Sequence, residues 1–351
     1  MEKTGDIKMK KRKVLFVDES GGAWPWRRQM PEGGDVWGDS AYTFSTDCTG
    51  GYDWLVVYSA WPAEPLLTAV PHSRRIFVAG EPESFHRYQE RFLAQFGTVI
   101  TTQRGTRHPG AIYRQPGINW FAGVRFQDGP QRFHSTLDFS DFVAGDPVKT
   151  KLCSVVCSSN AVTRGHRQRI EFVERLRQTL GEQIDYFGRG IRTMADKDEA
   201  LAPYRYHIAL ENSVHPDYWT EKLADPLLRG CFPIYSGCPN LAEYFPAGSY
   251  ACIDLKQPQQ AIASIREILS GDLDRSSLLQ RQEAKRRVLY EYNIFAELEK
   301  LYPRLEQRET LADGHLPLPA VRLYSDHEAK DFKFSRRLRR WLRSAVGASG
   351  R

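Results

Sequence analysis

The sequence predicts an α/β protein built as two doubly wound domains, each a mostly parallel sheet covered by helices. The length of 351 residues exceeds one ordinary domain and suits two of about 150 residues each. Short, continuous apolar runs of the parallel-sheet kind alternate with stretches of helical spacing through both halves. An apolar content of 41%, with 12% aromatic, is enough for two packed cores.

In chain order, residues 14–17 (VLFV) read as a first strand after a basic start. Residues 18–51, rich in Gly, Trp, Asp and Pro, read as an irregular segment of the sort that often carries function. Trp24, Trp26 and Trp37 there could pack in a core or offer flat faces to a sugar. Residues 52–58 and 75–79 are further strands, and 85–96 has helical periodicity with Gly97 as its stop signal. Residues 99–102 make a fourth strand, 104–131 a polar and aromatic loop region, and 141–150 the crossing between halves.

The second half opens with a strand at 151–157, where Cys153 and Cys157 stand about 13 Å apart along an extended chain and cannot bridge. An amphipathic helix at 163–180 places Ile170, Val173, Leu176 and Leu180 on one stripe. Strands at 184–187, 206–212, 231–235 and 250–255 follow, with helices at 258–270 and 276–307. The divisions are a basic tail at 1–13, a first domain at 14–150, a second at 151–312, and a linker with a basic amphipathic tail at 313–351.

Charge is concentrated at the ends. Residues 332–351 carry seven basic and no acidic residues, and 1–13 carry six basic and two acidic. Since the whole chain is +6, residues 14–331 carry −5, which argues against a nucleic-acid-binding face on the body. The six cysteines lack zinc spacing, no Asn-x-Ser/Thr sequon occurs, and no apolar run is long enough to span a bilayer, so a cytoplasmic location is expected. In the tail, Phe334, Leu338, Trp341, Leu342 and Ala345 share a face and basic residues fill the rest. A helix over 332–346 would suit an anionic membrane surface or dock on the protein itself.

The most informative stretch is 206–222, YHIALENSVHPDYWTEK: a buried strand ending at Glu211 and Asn212, a polar loop, and a helix starting near Tyr218. Lys222 near a helix N-terminus opposes the macrodipole unless a carboxylate or a bound anion answers it. Glu211-Asn212-Ser213, four residues, then Tyr218-Trp-Thr-Glu-Lys222 resembles the signature of the glycosyltransferase family 10 fucosyltransferases. The resemblance continues through Gly230-Cys-Phe-Pro-Ile-Tyr-Ser-Gly237, Pro239-Asn240 and Glu243-Tyr-Phe-Pro246, and reaches back to Ser158. It implies a GT-B architecture, two Rossmann-like domains with the active site in the cleft between them. It also implies inverting transfer of fucose from GDP-fucose to a glycan hydroxyl.

Glu81 directly follows an apolar strand and Gly80 allows a turn beside it, so its carboxylate could accept a proton from an attacking hydroxyl. Gly-Glu-Pro there resembles the family segment that carries the general base. Arg169, one of five arginines on its helix, resembles the residue that grips the donor diphosphate, work that suits a guanidinium fork. Lys222 would be the second phosphate cation, and Glu221, Asn212 and Tyr218 resemble further donor contacts. Glu211 would orient Lys222 or stabilise positive charge on the sugar ring. Gly188 and Gly190 would let the backbone approach the nucleotide or simply form a tight turn.

Two cations on the leaving group make a metal unnecessary, so no cofactor is expected; Asp272-Leu-Asp274 has the form of a metal-binding DxD but falls between helices. Pro226 lies inside the helix that carries Lys222 and should break it. Enzymes using another GDP-sugar, an inactive sugar-binding relative and a glycoside hydrolase are the alternatives. The hydrolase would need two carboxylates but no cation pair. A bacterial surface-glycan precursor at the inner membrane face is the expected acceptor.

Overall fold

The computed structural model describes residues 11–61, 66–126, 133–157, 164–188, 190–310 and 319–328. The first sheet contains β1 (Arg12–Asp18), β2 (Val36–Trp37), β3 (Ser40–Phe44), β4 (Trp54–Tyr58), β6 (Arg75–Val78), β7 (Thr98–Thr101) and β8 (Ala111–Tyr113) in the order β2-β3-β1-β4-β6-β7-β8. All neighbours pair in parallel except the edge strand β2. A small antiparallel pair joins β5 (Leu66–Thr68) to the late strand β16 (Val321–Leu323).

Alternation along the central strands explains why both faces are covered. Val14 and Phe16 join one core cluster, with Trp54, Ile76 and residues of helix α8 (Ile294–Thr310). Leu15 and Val17 join the other, with Phe77, Phe92 and Phe96. Each such buried side chain is worth roughly 1.5–3 kcal/mol of transfer free energy. Arg12 ties the same helix to the sheet through Glu299 and Glu306, at 3.1 and 2.8 Å.

The second sheet is wholly parallel, in the order β12-β11-β13-β14-β15, with β11 (Lys151–Val156), β12 (Asp185–Phe187), β13 (Tyr204–Leu210), β14 (Phe232–Ser236) and β15 (Ala251–Cys252). One face packs on α3 (Arg164–Leu180) and α5 (Pro258–Ser270). The other packs on α4 (Glu221–Leu228) and α7 (Leu278–Tyr290), joined by Trp120, Phe139 and Phe142 from the first half of the chain. Those residues flank the hairpin of β9 (Val124–Phe126) and β10 (Phe133–Ser135) and the short helix α2 (Phe139–Ala144). The two halves therefore share a dry, aromatic joint, and the chain after α7 returns to the first sheet as α8. This is the two-sheet GT-B arrangement.

Several elements differ from the sequence expectation for physical reasons. The helix at 85–96 shrinks to α1 (Glu90–Leu93), because the Gln89 N–H goes to Asp326 Oδ1 instead of the Phe85 carbonyl and the His86 carbonyl is taken by Gln103 Nε2. Tyr88, Phe92 and Phe96 still stack on one side, so the apolar period is used without most of the helix. Residues 18–51 contain β2 and β3, and the loop region 104–131 contains β8 and β9. Trp24 and Trp26 are buried and Trp37 partly so, all in core contacts, which fixes the packing reading for them. The helix at 276–307 is two helices, α7 and α8, preceded by the short α6 (Leu273–Ser276), with Asn293 accepting from the Phe295 N–H where the last begins. The basic tail at 332–346 and Ser158 lie outside the described residues.

Candidate active site

Ligands of such sheets collect beyond the carboxyl ends of the strands, and there Tyr58 and Glu81 of the first domain lie within electrostatic reach of Glu221 and Lys222 of the second. In the second domain β13 runs out at Leu210, and Glu211 begins the polar loop. The helix carrying Lys222 starts later than expected: Thr220 is its N-cap and Glu221 its first residue, so Tyr218 precedes it. Pro226 sits near the end of this eight-residue helix, which stops at Leu228 as its position predicts.

Glu211 is buried and accepts from the Thr220 N–H at 2.8 Å and from Thr220 Oγ1 at 2.9 Å. It thereby fixes the cap from which Lys222 projects. Lys222 Nζ lies 2.9 Å from Glu221 Oε1, 3.2 Å from Thr220 Oγ1 and 3.6 Å from Glu211 Oε2. Burial raises the Glu211 pKa more than Lys222 lowers it. Burial also pushes Glu221 up, but Lys222 and Lys197 outweigh it and hold that carboxyl down to about 2. Burial alone would lower Lys222, yet its two carboxylate neighbours leave it raised. Both answers to the lysine foreseen from sequence are thus compatible, since a paired Lys222 still lines a cavity.

That cavity has a volume of about 230 Å³ and is lined by Phe121, Val156, His166, Arg169, Lys197, His207, Ile208, Ala209, Leu210, Asn212, Glu221 and Lys222. Arg169 is buried on the inner face of α3, and its Nε has no hydrogen-bond partner among the described residues. Asn212 Oδ1 is likewise buried and unpartnered. Two orphaned buried polar atoms in one basic hollow mark a place for a ligand with both charge and hydrogen-bonding groups. Helix α3 comes close because residue 165 is glycine: a Cβ there would stand 1.9 Å from the Asn212 carbonyl oxygen.

Lys197, His166, His207 and Phe121 are site residues that sequence reasoning missed. Lys197 donates to Asp225 Oδ2 at 2.7 Å and to the Glu221 carbonyl at 3.0 Å. Asp225, fully buried, also accepts from the Phe121 N–H at 3.1 Å, which sets that ring against the cavity. His207 shares a 2.8 Å hydrogen bond with Ser154 Oγ, and burial drives its pKa down to about 3, so it forms a neutral floor. His166 was within reach of the sequence, because it lies three residues before Arg169 and shares its helix face. Lys197 was not, because in Asp-Lys-Asp-Glu it looks like solvated surface.

In the first domain, Glu81 follows β6 beyond Ala79 and Gly80. Gly80 is required there, since a Cβ would meet Ser59 Oγ at 2.4 Å. Burial raises the Glu81 pKa; Lys222 opposes this, while Glu221 and Glu19 add to it. The carboxylate is therefore in electrostatic contact with residues of the other domain. The buried Tyr218 phenol also feels Glu211, Glu221 and Glu81, after a larger effect of burial.

Gly188 and Gly190 do not line the cavity. Gly188 accepts from the Ile191 N–H and donates to the Arg192 carbonyl, and its φ of 131° and the Cys157 carbonyl 2.0 Å from a would-be Cβ require glycine for a turn. Gly190 follows with φ of 85° and open space around a would-be Cβ. Asp274, of the DxD-like triplet, is held by Arg205 at 2.5 and 2.7 Å and by Tyr206 at 3.0 Å, outside the hollow.

Residues 147–275 match the family model described as "Glycosyltransferase family 10 (fucosyltransferase) C-term". An Arabidopsis thaliana protein named putative fucosyltransferase-like protein is 28% identical over 149 residues, 41% of this chain and 28% of its own length. Alpha-(1,3)-fucosyltransferase B of Drosophila melanogaster is 36% identical over 70 residues, 19% of this chain and 16% of its own. The matched stretches thus cover well under two thirds of these relatives. A solved alpha1,3-fucosyltransferase with GDP-fucose aligns over 90% of this chain and 95% of its own, at a TM-score of 0.49 and 16% identity.

Proposed function

We propose that this chain, whose residues 147–275 match the family 10 fucosyltransferase model, transfers fucose from GDP-fucose to a hydroxyl of a glycan with inversion and without a metal. One observation carries the reading: Arg169 and Lys222 face a single hollow that is also electrostatically coupled to Glu81 across the cleft. In this reading the arginine fork and the ammonium hold the diphosphate, and their effect is greatest as negative charge grows on the departing GDP. Each contact would supply about 3 kcal/mol of transition-state stabilisation.

Glu81 takes the proton from the attacking hydroxyl. Its raised pKa strengthens it as a base, and its charge interacts with Lys222 of the other domain. Tyr218, Asn212 and Glu221 shape the donor pocket, and Glu211 acts from beneath by fixing Thr220 and Lys222. The acceptor in this reading is a bacterial surface-glycan precursor, brought to the enzyme at the inner membrane face by the basic tail at 332–346.

Thermal shift with GDP, GDP-fucose, GDP-mannose and UDP-sugars tests the donor class. A ligand at 100 times its Kd stabilises the fold by about 2.7 kcal/mol, a readily visible shift. GDP and GDP-fucose should raise the melting temperature. A shift with UDP-sugars and none with GDP would overturn the assignment, and a larger shift with GDP-mannose than with GDP-fucose would change the sugar alone.

A further inference from the structure

We infer that Gln103 and Arg104 are positioning residues that hold the rim segment carrying Glu81 in register with the loop carrying Tyr218. The inference rests on the reading of Glu81 as base and of 211–222 as the donor segment.

Gln103 lies just beyond β7 and is buried. Its Nε2 donates to the Glu81 carbonyl at 2.9 Å and to the His86 carbonyl at 2.8 Å, which fixes the curvature of the whole 81–86 turn. The next residue reaches the other way. Arg104 forms an ion pair with Asp217 and lays its guanidinium over the Tyr113 ring at 5.3 Å.

Asp217 is already locked within its own domain. Its N–H donates to Asn240 Oδ1 at 2.8 Å, and its Oδ1 accepts from Asn240 Nδ2 at 2.8 Å and from the Tyr244 hydroxyl at 2.7 Å. Oδ2 is left for Arg104. The backbone at Asp217 has φ of 64°, a left-handed conformation that a non-glycine residue keeps only where its surroundings over-determine it. Tyr218 follows directly.

A continuous path of contacts therefore runs from the Glu81 carbonyl through Gln103, Arg104 and Asp217 to the backbone of Tyr218. Ser84 Oγ and Ser213 Oγ, 2.6 Å apart, close a second contact between the same two segments. Arg104 is itself largely exposed, so its ion pair adds little to global stability. What it sets is where the 81–86 turn sits against the 213–218 loop, and small misplacements of reacting groups are costly to rate.

The first test is a cross-link that needs no turnover. In the full chain with Cys48→Ser and Cys252→Ser, the cysteines not buried in the structure, Ser84→Cys and Ser213→Cys are introduced and oxidised glutathione is added. Side chains whose oxygens nearly touch lie within disulfide reach. Adding Arg104→Ala should slow cross-linking by about fivefold or more, and Arg104→Lys should restore most of the rate. Equal rates with and without Arg104 would overturn the strap.

The second test is GDP release from GDP-fucose. Arg104→Ala should lower kcat by about tenfold while the Kd for GDP stays within about twofold. A parallel loss of GDP affinity, or an unchanged kcat, would overturn the positioning role. If the parent chain releases no GDP from GDP-fucose, the functional reading fails and the cross-link alone decides the strap.

Discussion

Replacing Arg169 by methionine should weaken GDP binding while leaving the ligand-free protein at least as stable as the parent. The side chain is buried, and its Nε is an orphan donor among the described residues, while the guanidinium shares a hydrogen bond with the Cys157 thiol. A buried donor without a partner costs about 1–3 kcal/mol, and Arg169→Met removes it while keeping the stem that packs along α3. In the complex the same group would make charge-assisted hydrogen bonds, each worth about 1.5–3 kcal/mol. At 1.4 kcal/mol per tenfold, the Kd for GDP should rise by about 10- to 100-fold. Calorimetric titration with GDP reads the affinity, and urea unfolding without GDP reads the stability. A Kd within about twofold of the parent, or a ligand-free loss above about 2 kcal/mol, would show that Arg169 is a structural strut rather than a ligand clamp.

Glu81→Gln should abolish turnover and leave GDP affinity within about twofold. Because burial raises its folded pKa, the ionised carboxyl costs stability above that pKa and costs nothing below the ordinary glutamate value; the same substitution should therefore stabilise the fold more at pH 8 than at pH 5. For the same reason the acid limb of the pH–rate profile should lie above the ordinary glutamate value of about 4.3, and a limb at that value would contradict the assignment. Lys222→Met should lower kcat by about 10²-fold at saturating donor, measured by GDP release; a change in KM alone would give it a merely binding role. Lys197→Ala strands the wholly buried Asp225 and should cost about 3–5 kcal/mol in urea unfolding, partly recovered by adding Asp225→Asn; a loss under about 1 kcal/mol would mean that solvent reaches the pair. Deleting residues 332–351 should abolish co-sedimentation with anionic vesicles and leave GDP binding intact, since each basic residue near such a surface is worth about 1 kcal/mol.

The strands were legible because the central strands of both sheets are buried on two sides, so runs such as 14–17 and 52–58 are apolar at nearly every position. The donor segment was legible because its chemistry is contiguous: Glu211, Thr220, Glu221 and Lys222 act on one another within twelve residues. Lys197 and Phe121 were hidden because each is recruited through Asp225, whose partners lie 28 and 104 residues away. The helix at 85–96 misled because an apolar period of four satisfies a stacked aromatic face as well as it satisfies a helix, and Asp326 and Gln103 claimed the Gln89 N–H and the His86 carbonyl that a helix needs. Gly188 and Gly190 look the same in sequence whether they admit a ligand or a bend, because glycine serves both.

The joint formed by Trp120, Phe139 and Phe142 against α4 and α7 governs how the molecule can breathe. Parting the halves would wet all three rings, at a cost on the order of 10 kcal/mol for their combined apolar area. A jaw fused at its root does not gape. On the proposed function, passage of the nucleotide would then fall to loops at the mouth, such as 213–218, rather than to a swing of whole domains.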